Sequence, residues 1–184
     1  MTTTTEFEPI LLEEYKTIKS TSGRSSKGYY SDCFVSQKSP YVFLEIKKNN
    51  FKKLHFYENC LCNIIDIKMI FDDIEHELFV YRVEKLEIPN MMSAYLNAAG
   101  IPNYKEIIHV FREIRNYSRI SFNNLIENLQ NDPEKSLGKL IEVFCYLRDR
   151  IESGELVAEE LDCHSANYGF ASDGQMILFD PVMN

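Results

Sequence analysis

Four polar residues toward the C-terminal end of the sequence can do chemistry together: Asp162, His164, Asn167 and Asp180. An amide oxygen and a carboxylate held close can chelate one hard cation, and magnesium prefers oxygen ligands. Between Asn167 and Asp180 the pair Asp173-Gly174 signals a two-residue hairpin turn, since glycine tolerates positive φ and strand-like residues flank it. That register sets Asn167 opposite Asp180 at the open end of the hairpin, with Cβ atoms roughly 4.5–5.5 Å apart on one face. Asp162, five residues before Asn167, brings a second carboxylate to the same end. Each residue also has an ordinary reading. Asn and Asp terminate strands and cap turns, and His164 can be a hydrogen-bonded loop histidine.

The elements that must position these residues follow from hydrophobic periodicity. Just before Asp162, residues 136–153 read as a helix with Leu137, Leu140, Ile141, Phe144, Leu147 and Ile151 in one apolar stripe, ended by Gly154. Helical spacing also marks 91–100, 103–117 and 121–130. The first half is different. Tyr29–Ser36 and Tyr41–Ile46 read as strands around a Gln37–Pro40 turn, with Val42, Leu44 and Ile46 on one face and Tyr41, Phe43 and Glu45 on the other. Residues 51–65 are helical, and 69–71 and 78–86 are strand-like on either side of the acidic turn Asp72–His76. Residues 7–19 fit a short helix or a first strand, 20–28 a polar loop, and 1–6 a frayed tail. Strands followed by helices give an α+β fold: one domain with a β-rich lobe over 7–88, a helical lobe over 89–184 and a cleft between them.

Composition narrows the function classes. The chain has 184 residues and a net charge of −8, which disfavours a nucleic-acid partner because phosphate binding needs clustered lysine and arginine. No apolar run reaches the roughly 20 residues of a membrane helix, so no membrane association is expected. The opening Met-Thr-Thr-Thr-Thr-Glu has neither the basic start nor the apolar stretch of a secretion signal. Five cysteines without framework spacing read as reduced thiols rather than a zinc site.

The order Asp162-x-x-x-x-Asn167, hairpin, Asp180 resembles the catalytic loop and metal site of the protein kinase-like fold. The segments Leu161-Asp-Cys-His-Ser-Ala-Asn167 and Phe179-Asp-Pro-Val182 are similar, more narrowly, to the early-expressed serine/threonine protein kinase of podovirus-type coliphages. That resemblance implies ATP and Mg2+ as cofactors, a host protein as substrate and the host cytoplasm as the site of action. Asp162 would be the catalytic base, Asn167 and Asp180 the magnesium ligands, and His164 a support of the loop. Gly28-Tyr-Tyr-Ser31 resembles the second half of a phosphate-covering glycine-rich loop, with Ser26 where the preceding glycine is expected. The strand into Leu86 resembles the one entering the hinge, where Glu84, Lys85 and Leu86 would turn backbone groups to adenine.

The strand after the loop leaves two registers open. Leu44-Glu-Ile-Lys47 offers Lys47 as the phosphate-pairing lysine, with Glu58 of the next helix as its ion-pair partner; the other register puts Glu45 in that place. Four residues follow Asp180, so the sequence suggests a minimal kinase-like fold with a truncated helical lobe and no activation segment. Substrate recognition would then fall to the remaining helices, a homodimer partner or another protein. Three functions fit: a protein kinase, a catalytically reduced kinase-like protein that sequesters a host factor, and a small-molecule phosphotransferase, the last favoured by His164.

Overall fold

A computed structural model of the chain describes residues 9–21, 26–27, 31–88, 119–131, 137–157, 161–162 and 167–181. The chain divides into two compact units, Met1–Lys85 and Leu86–Asn184. The division falls three residues before the boundary read at 88/89. The fold is α+β, and among the described residues no helix is long and apolar enough to cross a membrane.

The first unit is built on an antiparallel sheet. Its strands are β1 (Ser26–Lys27), β2 (Ser31–Val35), β3 (Tyr41–Lys47), β4 (Ile67–Asp73) and β5 (Leu78–Glu84), in the order β1-β2-β3-β5-β4. Helix α1 (Pro9–Thr21) resolves the helix-or-strand alternative. Its Leu11, Tyr15 and Ile18 recur at helical spacing and pack on Phe34, Phe43, Ile70 and Val80 of the sheet. Burying a side chain of that size contributes roughly 1.5–3 kcal/mol, so this face is a main anchor of α1.

The second helix, α2 (Phe51–Asn59), follows β3. Asn50 caps it, its side chain accepting from the Lys53 N–H at 3.1 Å. Tyr57 of α2 stacks on Tyr81 of β5 with ring centroids 6.0 Å apart. The pairing of β3 with β5 runs without interruption from Tyr41↔Glu84 to Lys47↔Leu78. Strict alternation along β3 therefore holds. Phe43 and Glu45 face α1, whereas Leu44, the partner of Tyr81, and Ile46, the partner of Ser31, share the face that α2 packs on.

The second unit contains helices α3 (Arg119–Gln130) and α4 (Gly138–Glu152) and the hairpin of β6 (Tyr168–Phe170) with β7 (Met176–Leu178). The buried stripe of α4 is Leu140, Val143, Phe144 and Leu147, with Leu137 at its N-cap. Val143 takes the inward place expected of Ile141, which is only half-buried. Gly154 ends the helix at φ 79°, the left-handed conformation that glycine adopts without steric cost. All six strand residues of the hairpin are buried. The helices expected at 91–100 and 103–117 lie outside the described residues.

Candidate functional site

The hairpin loop determines what faces what. Its strands pair Tyr168↔Leu178, Gly169↔Ile177 and Phe170↔Met176, and Ala171 N–H donates to Gln175 C=O at 3.0 Å. Three residues, 172–174, therefore form the loop instead of two. A β-turn closes it, Gly174 N–H donating to Ala171 C=O at 2.9 Å, and Gly174 then takes φ 77°. This is the turn-plus-left-handed-residue loop that adds one position to a tight hairpin. The register shifts by one as a result. Asn167 stands opposite Phe179, its C=O accepting the Phe179 N–H at 2.9 Å, and the direct opposition of Asn167 and Asp180 expected from the sequence is not formed.

The loop itself is anchored to α4. Asp173 pairs with Lys139 at 2.8 Å, and the Gln175 side chain accepts from the Lys139 N–H at 3.2 Å. Leu137 cannot cap α4 with its own side chain, so Gln175 supplies that acceptor from the hairpin. The Lys139 ammonium is also the largest reason that the Asp173 carboxyl sits below its ordinary range.

A set of tethers converges at the hairpin's open end. Asp162 N–H donates to Pro181 C=O at 2.7 Å, and the Asn167 side-chain Nδ2 donates to Asp162 C=O at 2.8 Å. Asp180 thus lies between two tethered neighbours, Phe179 bound to Asn167 and Pro181 bound to Asp162. Asp162, Asn167 and Asp180 are all half-buried. With its nitrogen committed to a carbonyl, the Asn167 amide has its oxygen left as an acceptor. His164 lies outside the described residues.

Magnesium fits the chemistry of this donor set. Asn167 Oδ1 and the Asp180 carboxylate are hard oxygens, and magnesium retains waters and substrate phosphates, needing few protein ligands. Among the described residues no three His, Cys, Asp or Glu side chains cluster as a metal site.

The segment entering the second unit runs against the same hairpin. Glu87 and Phe170 exchange both backbone hydrogen bonds at 2.9 Å. A Cβ on Gly169 would lie 2.9 Å from Leu86 Cβ and 3.4 Å from Glu87 C=O, so only glycine permits this approach. Of the residues expected to meet adenine, Glu84 donates its N–H to Asp66 C=O at 2.7 Å and Lys85 donates to Pro40 C=O at 3.0 Å. Those two amides are already in use. Leu86 engages neither its N–H nor its C=O among the described residues.

The phosphate-side residues of the first unit are arranged otherwise than expected. Gly28 lies outside the described residues. Lys47 is exposed at the end of β3, on the α1 face, and Glu58 is also exposed. They do not pair: Glu58 instead accepts from the Tyr81 hydroxyl at 2.8 Å. Burial first, and then this bond, push the Tyr81 hydroxyl above its ordinary value. Glu45 shares the α1 face, 8% exposed, and accepts from both the Tyr15 hydroxyl and Lys19 Nζ. Neither open register therefore presents a charge to α2, where Ile46 is fully buried.

Sequence reasoning passed over Lys53. This α2 residue is 6% exposed, and its Nζ donates to Ser31 Oγ at 3.1 Å. Its signal was present. Lys53 lies four residues before Tyr57, on the buried stripe of a helix where a lysine is out of place.

Comparisons with protein-family models, curated proteins and solved structures gave no match.

Proposed function

We propose that the chain is an ATP- and magnesium-dependent phosphotransferase of the protein kinase-like class, acting on serine or threonine hydroxyls of a host protein. The observation that supports this reading is the tethering of Asp162, Asn167 and the 179–181 strand exit, which brings the backbone of Asp162, Asn167 and Asp180 to one hairpin end. In the reaction the Asp162 carboxylate accepts the proton of the substrate hydroxyl. That oxygen bonds to the γ-phosphorus while the bond from phosphorus to the bridging oxygen breaks, and ADP leaves. Asn167 and Asp180 would hold the cation, whose chemistry there would be to neutralise charge on the transferred phosphoryl group. The backbone groups of Leu86, unengaged among the described residues, are the ones that would meet adenine.

Incubation with γ-labelled ATP, Mg2+ and a lysate of the host tests the reading. Label is expected on the chain or on a lysate protein, and Asp162→Asn should reduce it by about 100-fold or more, the usual contribution of a positioned base. Equal labelling by Asp162→Asn rejects Asp162 as the base, and no labelling rejects the enzyme.

A second reading, a kinase-like protein that sequesters a host factor without turnover, is favoured by Ile46 on the face of β3 toward α2. It predicts a stable complex unaffected by Asp180→Ala.

A further inference from the structure

We infer that Lys53, on α2, supplies the positive charge that contacts the nucleotide phosphates, in place of a lysine on β3. This rests on the phosphotransferase reading and names the group that recognises its triphosphate.

Lysine is almost never buried without a specific reason, since its ammonium loses hydration on leaving water. Lys53 is nevertheless 6% exposed, whereas Lys47 is exposed. The Lys53 stem runs along the inward face of α2, and its Nζ lies 5.9 Å from the centre of the Tyr57 ring. The ammonium ends at Ser31 Oγ, 3.1 Å away, on the first residue of β2. Ser31 pairs with Ile46, so lysine and hydroxyl meet on the sheet face that lacks a charged side chain from β3. A hydroxyl that accepts from an ammonium keeps its own proton to donate, so the two groups together present donors suited to a phosphate oxygen.

The site is held from both ends. Asn50 fixes the first turn of α2 by accepting the Lys53 N–H, and Asn50 is itself buried. Tyr57, one turn after Lys53, is fixed by stacking on Tyr81. A rigidly placed ammonium loses little conformational entropy on meeting a phosphate, which favours binding.

An acyl-phosphate derivative of ATP tests this on the unmodified chain, because it transfers its acyl group to a lysine lying beside the phosphates. Peptide mass spectrometry is expected to find the label on Lys53, suppressed by excess ATP. Label on Lys47, or on scattered lysines without protection by ATP, overturns the assignment. Calorimetry with ATP and with adenosine gives the second arm. Lys53→Met should weaken ATP binding by about tenfold or more, the worth of a charged hydrogen bond, and leave adenosine unchanged. Lys53→Arg should recover part of the loss. Equal weakening of both ligands indicates a purely structural lysine and overturns the inference while the phosphotransferase reading stands. Absence of ATP binding by the wild-type chain overturns both.

Discussion

The hairpin of the second unit and the sheet of the first treat their polar residues in opposite ways. At the hairpin, backbone groups make most of the tethers, and the Asn167 side chain spends only its Nδ2, so the Asp162 carboxylate and Asn167 Oδ1 are positioned without being consumed by them. On the sheet, the one acid within β3 is spent on structure: Glu45 is enclosed by Tyr15 and Lys19 of α1. Burying a carboxylate is costly unless it is bonded on both sides, and two donors from one helix turn that cost into a clasp. A residue tethered through its backbone remains available for chemistry, whereas one satisfied through its side chain does not.

The largest expected effect is at the close approach behind the hairpin. Gly169→Ala should destabilise the second unit by about 1–3 kcal/mol, as overpacking does, because Leu86 Cβ and Glu87 C=O are fixed in place. Hydrogen exchange should show early loss of protection at Glu87 and Phe170, while β3 is unaffected. Equal loss in both regions would remove the distinction between them.

On the sheet, Tyr15→Phe removes one of the two donors to Glu45 and should cost about 1–2 kcal/mol in denaturant unfolding. Its pH dependence is the sharper test. Burial, then the Glu45 bond, push the Tyr15 hydroxyl from 10.0 up to about 12. Burial alone would lower the Lys19 ammonium, but its bonds to Glu45 and Tyr15 raise it on balance. Both groups hold their protons more tightly folded than unfolded. Their contribution is therefore complete below about pH 10 and lost as pH rises through the folded values. Unfolding midpoints measured upward from neutral pH should fall steeply in that window for the wild type and less steeply for Tyr15→Phe.

The smallest effect belongs to the hairpin's outer anchor. Gln175→Ala removes the acceptor at the start of α4 and should cost about 0.5–2 kcal/mol, as loss of a helix cap does. Phosphoryl transfer should be unchanged, since the tethers at Asp162 and Asn167 lie at the other end of the strands.

Local pattern was legible in the sequence; long-range partners were not. Alternation marked β3 nearly to its ends, and the stripe before Gly154 marked α4, because each element buries one regular face. The hairpin itself was legible, but its register was not. Asp173-Gly174 fits two loops that differ by one residue, and the choice is made by Ala171 pairing with Gln175 and by α4 holding Asp173 and Gln175. Glu45 looked like a rival to Lys47 because its partners lie 30 and 26 residues away, in a helix whose own identity was open. Lys53 also has a long-range partner, Ser31, 22 residues earlier, but its place on the buried stripe of α2 was readable.

The central claim is that Asp162, Asn167 and Asp180 form one cation site at the end of the hairpin. Manganese, added with a non-hydrolysable ATP analogue in place of magnesium, tests it most directly through paramagnetic broadening of backbone amide signals. The amides of Asp162, Asn167, Phe179 and Asp180 should broaden first, and Asp180→Ala should abolish the effect. Broadening centred on the acidic Asp72–Glu77 turn, or spread evenly over the chain, would contradict the site.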